Sequence, residues 1–229
     1  IAGALIPDEG LIEIDGKDVT RMPEYKRAKY IGRVFQDPMK GTAAGMQLQE
    51  NLMLADRRGL CHRLRWAFTP SREQYYQNLV ARLGLGLENR MTARIGLFSG
   101  GQRQAVTLLM ATMRRPEVLL LDEPTKGLDG SLKKELAVLL KKLAAVGKGI
   151  LMVTHDPEFA ADCARRCALL FDGTLVSEDE PHAFFRGNRF YTTAAAMIAG
   201  DRIEGAVTCE EVIAGCIDAW ERDGRSHGW

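Results

Sequence analysis

The spacing of apolar and polar positions divides this chain into segments of different character. Short apolar runs typical of buried strands occupy residues 11–14, 30–35, 117–122 and 149–155. Between the last two runs, residues 131–146 repeat apolar positions at helical spacing. Strand, helix and strand therefore follow one another, and this order predicts an α/β fold with a parallel sheet covered on both faces.

Residues 37–113 have a different pattern. Their apolar positions fall on predicted helices around 72–83 and 102–113, and no segment alternates convincingly as a strand does. We therefore predict a helical subdomain inserted into the α/β core. The predicted division is a core of residues 1–36 and 114–180, a helical subdomain of residues 37–113 and a C-terminal extension of residues 181–229.

Two local sequence patterns predict structure in the C-terminal part of the chain. The dipeptide Asp172-Gly173 separates two apolar runs, which predicts a hairpin that closes the sheet with an antiparallel pair. Thr208 and Glu211 have capping-box spacing ahead of apolar residues at helical intervals, so we predict an amphipathic terminal helix.

Composition excludes some classes of function. The chain has 31 Lys and Arg against 30 Asp and Glu, so no global positive charge favours nucleic-acid binding. No apolar run approaches the roughly 20 residues that span a bilayer, which predicts a soluble chain. The cysteines lack zinc-site spacing, and Cys163 and Cys167, one helical turn apart, are expected to be buried thiols in a reducing compartment. A basic cluster beside two aromatic residues is a candidate docking patch, made of Arg57, Arg58, Arg63, Arg65, Trp66 and Phe68.

The stretch LFSGGQRQ has the features of an anion-binding helix start. Ser99 would cap the helix, and Gly100 and Gly101 would let an anion approach the main chain closely. A helix dipole contributes about 0.3–1 kcal/mol, whereas micromolar nucleotide binding needs about 8 kcal/mol. This turn cannot capture a nucleotide alone, so other groups must supply the rest.

Polar side chains follow three of the predicted strands. Asp122 and Glu123 end the run VLLLDEP at the edge where α/β folds bind ligands. Asp122 would hold Mg²⁺, and Glu123 would deprotonate the water that attacks a phosphoanhydride. Gln36 in VFQDP would ligate Mg²⁺ or the attacking water, and His155 in VTHD would contact a γ-phosphate. An acidic turn after a strand is common, so the joint order of these residues carries the prediction.

That joint order resembles the nucleotide-binding domains of ABC ATPases over nearly the whole chain. FSGGQRQ is similar to the family's signature motif, VLLLDEP to the Walker B strand with its catalytic glutamate, and FQDP to the Q-loop. KGLDG is similar to the D-loop and VTHD to the switch histidine. The resemblance implies a P-loop NTPase-like fold, ATP and Mg²⁺ as cofactors, and nucleotide contacts from Ser99, Gly100, Gly101, Gln102 and Asp129.

In this family the signature serine and glycines contact ATP held by the opposite subunit of a head-to-tail dimer. The resemblance therefore implies a second ATPase subunit, either identical or different, as a partner. It also implies a membrane permease, with a coupling helix docking at residues 39–54, and a cytoplasmic position at the inner face of the membrane.

The phosphate-capturing pattern GxxxxGK[ST] does not occur in residues 1–229. The first residues resemble family sequence that directly follows this loop, so we expect an N-terminally truncated cassette that binds ATP poorly as given. An alternative expectation is a degenerate or truncated subunit that does not hydrolyse ATP and donates its signature motif to a partner.

The two halves resemble different branches of the family. The first resembles ATPases of tryptophan- or tyrosine-type uptake systems, and the second resembles ATPases of energy-coupling-factor vitamin or cobalt importers. A join near residues 121–125 would explain both. The expected function is ATP hydrolysis that energises a bacterial importer of a small solute, an amino acid or a vitamin or metal.

Overall fold

The computed structural model describes residues 1–59, 69–187, 191–200, 202–203 and 205–226, with side chains up to residue 220. The strands are β1 (Glu13–Ile14), β2 (Lys17–Asp18), β3 (Ile31–Val34), β4 (Val118–Asp122), β5 (Gly149–Val153), β6 (Cys167–Phe171) and β7 (Thr174–Asp179). The helices are α1 (Glu24–Arg27), α2 (Leu48–Asp56), α3 (Pro70–Ala81), α4 (Gly100–Thr112), α5 (Gly130–Ala145), α6 (Pro157–Cys163), α7 (Pro181–Gly187), α8 (Ala194–Ala199) and α9 (Cys209–Ser226). No helix within this described part is long and apolar enough to span a bilayer.

The chain forms two compact units whose boundaries differ from the predicted division. The first contains Ile1–Leu132 and Leu143–Val153, and the second contains Lys133–Lys142 and Thr154–Trp229. The predicted core, helical subdomain and extension therefore stay a prediction. Cys61 and four members of the predicted docking patch lie outside the described residues: Arg63, Arg65, Trp66 and Phe68.

A parallel sheet in the order β3-β4-β5 organises the first unit. Val34 is in register with Leu121, and Asp122 is in register with Val153. Leu119 and Leu121 are buried, as expected for the central strand of a parallel sheet. The predicted strands are therefore confirmed, and the register brings the carboxyl ends of all three to one edge.

The expectation that both faces of the sheet are covered is wrong for β5. Leu151 and Val153 are 50% and 59% exposed, although both are apolar. Among the described strands β5 pairs with β4 alone, so it is an edge strand. Leu151 and Val153 are two positions apart and therefore lie on one face of β5, and the described residues leave that face largely uncovered.

A helical layer lies between β3 and β4 in the sequence. Helix α2 was not predicted individually, because its N-cap is Gln47, whose side chain and backbone exchange hydrogen bonds with Glu50. Within the described part of residues 37–113 there is no strand, only an isolated bridge between Gln47 and Arg94. The core of this layer consists of Leu48, Leu52, Tyr76, Val80, Leu87, Ile95, Phe98 and Val106.

Arg27 is a fully buried charged residue that the sequence pattern did not reveal. Its guanidinium donates hydrogen bonds to the carbonyl oxygens of Ile1, Thr20 and Met22 at 2.6, 2.7 and 2.7 Å. A buried cation is costly unless its donors are satisfied, and these carbonyl oxygens satisfy them. Arg27 therefore ties the backbone at Ile1 to the turn after β2.

The second unit contains the predicted hairpin and terminal helix. Asp172 and Gly173 have positive φ angles of 47° and 74°, as a tight two-residue turn between β6 and β7 requires. These strands form a two-stranded sheet of their own rather than closing the parallel sheet. The capping box of α9 is confirmed, because the backbone N–H of Glu211 donates to Thr208 Oγ1 at 3.3 Å.

Candidate functional site

The first turn of α4 is built as the sequence predicted. Ser99 Oγ accepts a hydrogen bond from the backbone N–H of Gln102 at 3.2 Å, and Gln102 Oε1 accepts one from the N–H of Ser99 at 3.1 Å. This reciprocal capping box fixes both side chains. The N–H groups of Gly100 and Gly101 make no hydrogen bond to any described residue, so they are available as donors.

The two glycines of this turn have different surroundings. A Cβ built on Gly100 would have no neighbour within 4 Å, so nothing in the described chain requires glycine there. A Cβ on Gly101 would lie 3.1 Å from the carbonyl oxygen of Gly127. Gly101 therefore allows α4 to pack closely against the loop that follows Glu123, whereas Gly100 leaves open space in front of the helix.

The predicted acidic pair lies at the carboxyl edge of the sheet. Asp122 is the last residue of β4 and is exposed. Glu123 is half-buried, and its N–H donates to the carbonyl oxygen of Val153 at the end of β5, at 2.9 Å. Glu123 also has a φ of 45°, which is unfavourable for a residue with a side chain. The backbone is thus held in an uncommon conformation at the position predicted for the catalytic base.

Gln36 belongs to the same edge. It lies two residues beyond Val34, whose register partner Leu121 directly precedes Asp122. Its side chain is exposed. A carboxylate and an amide oxygen at one strand edge fit Mg²⁺, which binds one or two protein oxygens together with phosphate oxygens and water. The donor set is therefore adequate for Mg²⁺ as part of a nucleotide complex.

Asp129 has a structural task in addition to its predicted role. Its Oδ1 accepts a hydrogen bond from the N–H of Leu132 at 2.9 Å, so it caps the start of α5. It is exposed. Its predicted contact with nucleotide stays a prediction, but one carboxylate oxygen is already used for the cap.

His155 belongs to the second unit and is exposed. Its neighbours in the sequence are firmly held. The N–H of Asp156 donates to Thr154 Oγ1 at 3.0 Å, and Asp156 Oδ1 caps α6 by accepting from the N–H of Phe159 at 3.0 Å. Asp156 Oδ2 also forms an ion pair with Lys133 at 2.7 Å. The backbone around the predicted switch histidine is therefore well defined.

The segment predicted to receive a permease helix has apolar residues on its surface. Met39 and Leu54 are 38% and 49% exposed, while the intervening Leu48 and Leu52 are buried in the helical core. Arg58, a member of the predicted docking patch, donates from Nη2 to the carbonyl oxygen of Ala111 at 3.2 Å. Burial lowers the pKa of Arg58, and the nearby charge of Arg114 lowers it further.

The sequence analysis missed Gln104 on α4. Its side chain is only 2% exposed, and Nε2 donates to the carbonyl oxygen of Pro124, next to Glu123, at 3.2 Å. In the sequence, Gln104 could have been noticed because it lies inside the stretch FSGGQRQ. A pattern match alone does not show that this amide reaches a loop 20 residues away.

The chain is similar in sequence to a known protein family and to several of its members. A family model described as "ABC transporter" matches residues 1–126. The chain is 35% identical over 178 residues to a tyrosine transport ATP-binding protein of Clostridioides difficile, covering 77% of this chain and 70% of that protein. It is 32% identical over 217 residues to a putative ABC transporter ATP-binding protein of Bacillus thuringiensis, covering 94% of this chain. The chain spans only 37% of the length of that relative.

A solved structure supports the fold assignment. The chain is similar to a dimeric ATP-binding cassette in a post-hydrolysis state with ADP and Pi, with a TM-score of 0.67 and 26% identity. The likeness covers 79% of this chain and 77% of the cassette. The predicted α/β fold with a P-loop NTPase-like core and a parallel sheet is confirmed. A separate origin of the two halves stays a prediction.

Proposed function

This chain belongs to the family of ABC transporter ATP-binding domains, and on that premise we propose that it binds and hydrolyses ATP to energise an importer of a small solute. The relative named for tyrosine transport favours an amino acid as the solute, with a vitamin or metal as the second choice. The observation that carries the proposal is the edge formed by Asp122 and Glu123, held against the end of β5 by the bond from Glu123 to Val153.

At this edge the residues divide the chemical tasks. Asp122 and Gln36 would hold Mg²⁺, which when bound neutralises phosphate charge in the transition state. Glu123 would orient the attacking water and accept its proton. His155 belongs to the second unit, and its contact with a γ-phosphate stays a prediction.

The first turn of α4 serves a second subunit in this proposal. Ser99 and the free N–H groups of Gly100 and Gly101 would bind the γ-phosphate of ATP held by a partner cassette, with Gln102 and Asp129 beside it. The open space in front of Gly100 supports this role, because a phosphate can reach the backbone there. Two cassettes closing on two ATP molecules would then drive the permease.

The permease would dock at residues 39–54. The exposed Met39 and Leu54 support this assignment, since exposed apolar side chains suit a contact with another protein. Docking there would hold the ATPase at the inner face of the membrane.

A test of the proposal is Glu123→Gln in the full-length protein. We expect ATP turnover to fall by roughly 10²–10⁴, because a general base is lost, while ATP binding persists. Glu135→Gln on the exposed surface of α5 is the matched control and should leave turnover unchanged. Turnover that survives Glu123→Gln would refute the assigned base. ATP binding without any turnover in the unmodified protein would favour a subunit that does not hydrolyse ATP.

A further inference from the structure

The side chain of Gln104 connects α4 to the loop that carries Glu123. Its Nε2 donates to the carbonyl oxygen of Pro124 at 3.2 Å, and the residue is 2% exposed. Pro124 directly follows Glu123, so the bond ends one peptide away from the proposed base. Both residues belong to the first unit of the chain.

Packing alone does not account for an amide at this position. Gln104 Oε1 is buried and has no hydrogen-bond partner among the described residues. A buried acceptor without a donor costs about 1–3 kcal/mol, and an apolar side chain of similar length, such as methionine, would avoid that cost. The amide therefore needs a compensating gain, and the bond to Pro124 is the gain that the structure offers.

A second close contact joins the same two elements. Gly101 precedes Gln104 by three residues, so both lie on one side of α4. The position of a Cβ on Gly101 is 3.1 Å from the carbonyl oxygen of Gly127, within the loop that leads to α5. The helix thus contacts this loop near its beginning, at Pro124, and near its end, at Gly127.

The loop itself depends on its surroundings. The positive φ of Glu123 costs on the order of 1–3 kcal/mol and persists only where neighbouring structure enforces it. Inside the loop, Lys126 N–H donates to the carbonyl oxygen of Glu123 at 3.2 Å, and Leu128 N–H donates to that of Thr125 at 3.1 Å. A hydrogen bond to Pro124 from a buried helix side chain adds an external restraint.

We propose that Gln104 is a positioning residue that fixes the Glu123 loop relative to the first turn of α4. A phosphate bound by Ser99 and Gly100 would then move or stiffen this loop through Gln104 and Gly101. Because α4 would contact the partner's ATP while Glu123 acts on the chain's own, Gln104 would couple the two sites of a dimer. The coupling rests on the proposed ATPase function, whereas the loop restraint does not.

Amide hydrogen exchange of the full-length protein, measured without nucleotide, tests the restraint. In Gln104→Met we expect the amides of Lys126 and Leu128 to exchange about five- to tenfold faster. The loss of one hydrogen bond lowers the free energy of local opening by an amount that corresponds to this factor. The matched control is Thr112→Val, which removes hydroxyl bonds to Leu108 and Leu109 inside the same helix. Unchanged exchange at the loop, or equal acceleration throughout the chain, would overturn the proposal. Gln104→Leu provides a second variant should the first not fold.

Kinetics of the complete protein test the coupling. We expect Gln104→Met to lower kcat about tenfold and to change KM for ATP less than about twofold, because a misplaced base slows chemistry rather than binding. The Thr112→Val control should keep both constants. If the unmodified protein has no ATPase activity, the proposed function is refuted. The hydrogen-exchange result then still decides whether Gln104 restrains the loop. Normal kcat in Gln104→Met, in an active protein, would refute the coupling.

Discussion

Two helices of this protein begin with the same capping motif and differ in the charges of the residues around it. Helix α4 starts with the capping box of Ser99 and Gln102, and α9 starts with that of Thr208 and Glu211. In each box the first side chain accepts from the N–H three residues later, and the later side chain accepts from the N–H of the first. By local geometry alone the two helix starts are equivalent.

Their charges are not equivalent. The first turn of α9 contains two carboxylates, Glu210 and Glu211, which already complement the positive end of the helix dipole. Glu211 Oε1 is also 2.7 Å from His182 Nε2 on α7. The first turn of α4 contains no acidic residue, and two glycines occupy the positions between its capping residues. Of these two helix starts, only that of α4 therefore keeps an unneutralised dipole for an external anion.

The comparison teaches that a capping box by itself does not mark a binding site. It satisfies helix donors wherever it occurs, and α9 uses it for stability. Anion binding requires in addition that the remaining donors are unshielded and that no carboxylate competes for them. The glycines of α4 provide the first condition, and its neutral Gln102 provides the second.

Among the changes that test this comparison, the largest effect should come from introducing into the first turn of α4 a carboxylate like those of α9. Gly100→Glu places a carboxylate in the first turn, where the dipole stabilises it by about 0.3–1 kcal/mol. The fold should therefore survive, while repulsion of the phosphate should lower ATP turnover of the complete protein by about a hundredfold, as removal of one oxyanion donor does.

The neutral variant Gly100→Gln separates charge from size in the same assay. If it lowers turnover as much as Gly100→Glu, steric blockage explains the loss, and the electrostatic difference between the two helix starts is irrelevant. A smaller loss with Gly100→Gln supports the electrostatic explanation.

Removing the capping hydroxyl from each helix gives a smaller effect. Ser99→Ala should lower the free energy of unfolding by about 1 kcal/mol, a usual value for a lost N-cap. Thr208→Ala should cost less, because Glu211 Oε2 still accepts from the N–H groups of Val207 and Thr208, at 2.9 and 3.0 Å. Urea unfolding of both variants measures the difference. A larger loss for Thr208→Ala would contradict this explanation based on the two hydrogen bonds to Glu211.

The smallest effect concerns pH and is restricted to α9. Desolvation raises the pKa of Glu211, but hydrogen bonds from Val207, His182 and Thr208 outweigh it and lower the pKa from 4.5 to about 2. A lowered folded-state pKa stabilises the protein above pH 4.5, and this stabilisation is lost as the pH falls towards 2. The contribution is reduced by solvent, since the carboxylate is 39% exposed.

Urea unfolding at pH 5 and pH 3 measures this contribution. The unmodified chain should lose more stability over that interval than Glu211→Gln, which has no carboxylate to protonate at this position. The α4 box has a neutral Gln102, so Gln102→Ala should leave the pH dependence unchanged. Equal losses in the unmodified chain and Glu211→Gln would show that the α9 box does not depend on charge.

Much of the candidate site was predictable because its residues follow regular elements. Gln36, Asp122 and Glu123 lie just after or at the ends of apolar strands, and parallel pairing brings such ends to one edge. The capping boxes depend on residues three positions apart and were equally visible. The helix after residue 47 was less visible, because glutamine is an uncommon N-cap.

The sequence by itself determined the strands, the helix starts and the order of the polar residues that follow them, since these depend on short-range spacing. The tertiary structure alone decided that Gly101 is needed for close packing while Gly100 is not, that Gln104 reaches Pro124, and that Arg27 is buried among carbonyl oxygens. The contacts of Gly101 with Gly127, of Gln104 with Pro124 and of Arg27 with Ile1 each join residues 20 or more positions apart. Such contacts depend on how whole elements pack together, and no local pattern of side chains encodes that packing.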